Sequence, residues 1–97
     1  MHEYLIRAED GDFLVPRKDS LLALGVAAGE GWQQCEGWGD LRIKRGDNEI
    51  SVCCEDAGVQ VAVEGPISRD EADAIAERLS LHLSHSEGRQ TRVVPLN

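Results

Sequence analysis

The sequence predicts an α+β fold: a single small domain over residues 1–97, an antiparallel β-sheet meander with one long C-terminal helix packed on one face, plus a short N-terminal helix. Three observations predict it. Apolar and polar residues alternate through Leu41–Arg45, Glu49–Glu55 and Val59–Glu64, with turn residues between the runs. After Ser68 the period becomes helical, with Ala72, Ile75, Ala76, Leu79 and Leu83 recurring on one face. The 97 residues suffice for one hydrophobic core but not for a second domain. Successive hairpins favour antiparallel pairing over βαβ crossovers.

The first element is a strand over Glu3–Ala8, with Tyr4 and Ile6 on one face and Leu5 on the other. Glu9-Asp10-Gly11-Asp12 breaks it, and Phe13-Leu14-Val15 is expected to return as the second arm of a hairpin that Pro16 stops. Asp19 or Ser20 is the expected cap of a short helix through Leu21, Leu22, Leu24 and Val26, weakened by Gly25 and ended by Gly29 or Gly31. Trp32 to Asp40 lacks periodicity and reads as an irregular strand or a loop.

The meander follows. Gly46-Asp47-Asn48 turns the chain between its first two strands, and Asp56-Ala57-Gly58 between the second and third. Leu41, Ile43, Ile50, Val52, Cys54, Val59, Val61 and Val63 then share a core face, while Arg42, Lys44, Ser51, Cys53, Glu55, Gln60, Ala62 and Glu64 share a wet one. Ser68 and Glu71 form a capping box for the long helix, whose apolar stripe covers the valine-rich face. Gly88 ends it, and Thr91 to Val94 return as a last strand.

Composition narrows function. Eighteen acids against ten bases give a net charge of −8, which opposes direct contact with nucleic-acid phosphates. The N-terminus lacks a basic region followed by an apolar run, and Leu21 to Gly29 is far too short to span a bilayer, so a cytoplasmic protein without membrane contact is expected. Cys35, Cys53 and Cys54 are odd in number, and neighbours on a strand point to opposite faces, so reduced thiols are expected. No catalytic, cofactor or metal motif occurs, and the expectation is a protein that is not an enzyme and holds no cofactor or metal.

Asp70, Asp73 and Glu77 line the outer face of the long helix over about 10 Å and can imitate spaced phosphates, although acids near a helix N-terminus also simply oppose its dipole. Glu55 and Glu64 end neighbouring strands on the wet face, with Asp56 beside them, and Arg42 and Lys44 are their expected pairing partners. Trp32 and Trp38 share a face if their segment is extended, as an aromatic platform or as core plugs. His82 and His85, with distant His2, are too few for a metal and suit a helix C-terminus.

These features predict a module that inhibits or adapts a larger protein, its acidic face engaging a basic surface. By class analogy such a module resembles bacterial or phage toxin-immunity and anti-CRISPR proteins. Asp70, Asp73, Glu77, Glu55, Glu64, Trp32 and Trp38 are the expected partner-binding residues. A homodimer or other oligomeric subunit, or a small-ligand-binding domain without catalysis, is the alternative.

Overall fold

The computed structural model describes residues 1–97. In chain order it contains β1 (His2–Ala8), α1 (Lys18–Leu22), α2 (Leu24–Ala27), β2 (Gln33–Gln34), β3 (Leu41–Arg45), β4 (Asn48–Glu55), β5 (Gly58–Glu64), α3 (Arg69–Glu87) and β6 (Thr91–Pro95). The six strands form one sheet in the order β2-β3-β4-β5-β1-β6, antiparallel at every pairing. The alternation in β3, β4 and β5 fixes their register: Ile43 lies opposite Ile50, and Val52 opposite both Leu41 and Val61, so one face is apolar throughout.

Two expectations are corrected. Phe13–Val15 forms no strand, and β1 enters the sheet between β5 and β6 instead of forming a local hairpin. Only Leu14 of that segment is buried, while Phe13 and Val15 are exposed. Three apolar residues in a row pointed to a strand, but β1 finds better partners in Val59 and Val61, which match Ile6 and Tyr4 in its register. The second correction concerns the crossover. β5 and β6 both run antiparallel to β1, so α3 joins two strands that are parallel to each other across it, a split β-α-β unit.

α3 begins as its sequence dictates. The Ser68 hydroxyl accepts the Glu71 backbone N–H at 3.1 Å, and Gly88, at φ +66°, closes the helix in the left-handed conformation. Glu71 does not complete the capping box, because its carboxylate pairs with Arg45 at 3.0 Å. The stripe Ala72, Ile75, Ala76, Leu79 and Leu83 is fully buried against Tyr4, Ile6, Ile50, Val52, Val59, Val61 and Val63. Each buried Val, Ile or Leu among them contributes about 1.5–3 kcal/mol of burial.

The short helical segment is two separate turns, α1 and α2, broken at Ala23, and neither Asp19 nor Ser20 is the cap. Arg17 occupies that position without a side-chain bond and instead pairs with Glu87 at 3.4 Å. Ser20 ties α1 to α3 twice: its hydroxyl bonds Ser86, and its carbonyl accepts from His82 Nε2 at 3.0 Å. The sheet's outer edge follows the same economy. Leu96 N–H donates to Glu3 O, so the residue before it points its backbone away from β1. That residue is Pro95, which has no N–H to leave unpaired.

Candidate functional site

All the helices lie on the apolar face of the sheet, leaving the other face open. The strand registers fix its pattern. Ser51 lies opposite Ala62, and Cys53 opposite Gln60; on the next strand Glu3 lies opposite Ala62, and Leu5 opposite Gln60. Ser51, Ala62 and Cys53 are short, and the residues around them are long. A depression of about 210 Å³ results, floored by Ser51, Cys53, Gln60 and Ala62 and rimmed by Met1, Glu3, Trp38, Glu55 and Glu64.

Trp38 reaches this rim because its loop folds back over β3 and β4. Cys35 N–H donates to Arg42 O at 2.8 Å, Asp40 N–H donates to Val52 O at 2.8 Å, and the Asp40 carboxylate accepts Cys54 N–H at 2.7 Å. Gly37, at φ +155°, lies against the Arg42 side chain so closely that a Cβ there would overlap it. The loop therefore holds its tryptophan outward, and Trp38 is 74% exposed.

Trp32 is placed oppositely. It is 8% exposed within the core, under the Arg45 guanidinium at 4.7 Å from the ring centroid, and its buried indole N–H has no acceptor. The two tryptophans do not share a face, because only Gln33–Gln34 of the intervening segment is strand and the rest turns back.

The carboxylates also separate. Glu55 and Glu64 are at opposite ends of the β4–β5 ladder, opposite Gly58 and Glu49 respectively, roughly 20 Å apart along the strands. Arg42 hydrogen-bonds Glu49 at 2.5 Å and lies farther from Glu64, at 3.9 Å, so the two carboxylates share one cation, and the hydrogen bond to Glu49 raises the Arg42 pKa above the ordinary arginine value. The expected pairing through Lys44 is absent, and Glu55 and Glu3 have no cationic partner.

On α3, Asp73 accepts the Tyr4 hydroxyl at 2.5 Å and pairs with Arg69 at 3.4 Å, so the middle carboxylate of the predicted line is tied to β1. Asp70 and Glu77 stay exposed on the side of the molecule away from the depression. Of the seven residues singled out from sequence, Trp38, Glu55 and Glu64 rim the same depression, the two glutamates from opposite ends of the β4–β5 ladder. Glu3 was missed, and the signal for it was its alternation with Tyr4, which placed it on the wet face without saying which strand it would neighbour.

The three cysteines are free and half-buried, and burial raises the Cys54 thiol above its ordinary pKa. No three His, Cys, Asp or Glu residues converge as a metal site, and no helix is long and apolar enough to cross a membrane. No protein-family model, curated protein or solved structure matches the chain, so the reading of this face rests on its own residues.

Proposed function

We propose that the protein is a small acidic binding module that inhibits or adapts a larger protein by covering a basic surface, with the open face of the sheet as its contact. The observation that carries this reading is Trp38, held exposed beside a depression whose rim carboxylates Glu3 and Glu55 have no cationic partner. An exposed tryptophan next to small floor residues is the form of a binding hot spot. Unpaired carboxylates around it, on a chain of net charge −8, steer a basic partner toward that face. The use is that of an inhibitor, as in toxin-immunity or anti-CRISPR proteins, and a cytoplasmic bacterial or phage setting belongs to the same reading. The test measures association with a basic polypeptide at low and high salt. Glu3→Gln/Glu55→Gln/Glu64→Gln slows association and flattens its salt dependence, whereas unchanged rates and slope overturn the reading.

A second reading, an oligomeric subunit, is favoured by one feature of the helical layer. Leu81, 63% exposed, lines a cleft with Ala27, Arg78, His82 and His85, and Val26, next to Ala27 in the chain, is 84% exposed. A mass that rises with concentration in the absence of any partner, and that Val26→Ser/Leu81→Ser lowers to the monomer, selects this reading.

A further inference from the structure

We infer that the depression on the open face receives one arginine side chain of the partner protein, with its guanidinium between Glu3 and Glu64 and its methylenes against Trp38 and Cys53. The inference rests on the basic-partner reading and specifies its central contact. Glu3 faces Ala62 directly across the β1–β5 pairing, and Glu64 is two residues along the same strand face, so the two residues are diagonal neighbours with about 7–8 Å between their α-carbons and both carboxylates rim the Ala62 floor. That separation lets both reach a single planar cation lying between them, which suits a guanidinium with its five fixed donors better than a compact ammonium.

The floor adds an independent sign. Ser51 is only 8% exposed, its side chain lines the depression, and no protein group hydrogen-bonds to its hydroxyl. That hydroxyl still meets solvent in the depression, so a ligand seated there can take its hydrogen bond in place of water. Gln60 adds a carbonyl oxygen beside it. A depression of about 210 Å³ has room for one long side chain. Trp38 supplies an aromatic surface to which guanidinium binds favourably.

The test uses the whole protein, isotope-labelled, titrated with Nα-acetyl-arginine amide and, separately, with the neutral citrulline analogue of the same shape. The expected result is saturable shifts at the Cys53, Gln60 and Ala62 amides and at the Trp38 indole, with citrulline weaker by roughly tenfold or more. Ala62→Leu, which fills the depression from the solvent side and keeps every carboxylate, should abolish those shifts while leaving the rest of the amide spectrum in place. Equal affinity for citrulline and arginine, or undiminished arginine binding in Ala62→Leu, overturns the inference. A hexa-arginine peptide at low salt separates the two levels. If it binds wild type and Ala62→Leu equally, the arginine site is refuted and the basic-partner reading stands; if it binds neither, both fall.

Discussion

Replacing Tyr4 by phenylalanine tests how β1 is locked to α3. The Tyr4 ring is 1% exposed, and its hydroxyl donates to Asp73 at 2.5 Å while Arg69 lies 5.8 Å from the ring centroid. A hydrogen bond to a charged acceptor contributes about 1.5–3 kcal/mol, and half-exposed Asp73 places this one toward the lower end. Burial, then the bond to and charge of Asp73, push the Tyr4 pKa from 10.0 to about 12. A pKa raised in the fold stabilises fully below the unfolded value and fades as pH climbs through the folded one, so the contribution is intact below pH 10 and lost between pH 10 and 12. At pH 11 the loss is on the order of 1 kcal/mol. Urea unfolding of wild type and Tyr4→Phe at pH 7 and pH 11 measures it directly. The difference between the two proteins should shrink by about 1 kcal/mol at the higher pH. A difference that stays constant with pH, or no destabilisation of Tyr4→Phe at pH 7, refutes the assignment.

Other outcomes follow from the same contacts. Leu79→Ala, at a fully buried site between α3 and the sheet, should cost about 2–5 kcal/mol by chemical denaturation. Ser68→Ala removes the hydroxyl that accepts Glu71 N–H and should cost about 1 kcal/mol, with Ser68→Asp restoring most of it. Under a thiol reagent at neutral pH, Cys54 should react more slowly in the native than in the urea-unfolded protein, because burial keeps its thiol protonated. Equal Cys54 rates in the two states would contradict that burial.

The meander and the long helix were legible because their information is local. Val59, Val61 and Val63 declare a strand face by alternation, and Ser68 with Gly88 brackets a helical period between them. What stayed hidden is non-local. Nothing in residues 2–8 says that their neighbours are Val59–Val63 on one side and Thr91–Pro95 on the other, so the hairpin with Phe13–Val15 was the nearest available pairing. The candidate site follows the same division. Small Ser51, Cys53 and Ala62 could be placed on the wet face, but the depression exists only because Glu3 arrives beside Ala62 and the Gly37 loop sets Trp38 at its rim. Trp32 and Trp38, similar in sequence surroundings, end on opposite sides of the sheet because the chain turns back between them. The helix acids looked continuous by spacing, yet Asp73 is tied to Tyr4, a contact that requires β1 to sit beneath α3.

In the proposed complex the open sheet face, and not the acidic side of α3, meets the partner. Binding isotherms for a hexa-arginine peptide with Trp38→Ala and with Asp70→Asn/Glu77→Gln, each measured at low and moderate salt, test it most directly. Trp38→Ala is expected to weaken binding roughly tenfold or more while the helix variant changes it little. Wild-type affinity in Trp38→Ala together with a large loss in the helix variant would contradict it and move the contact to α3.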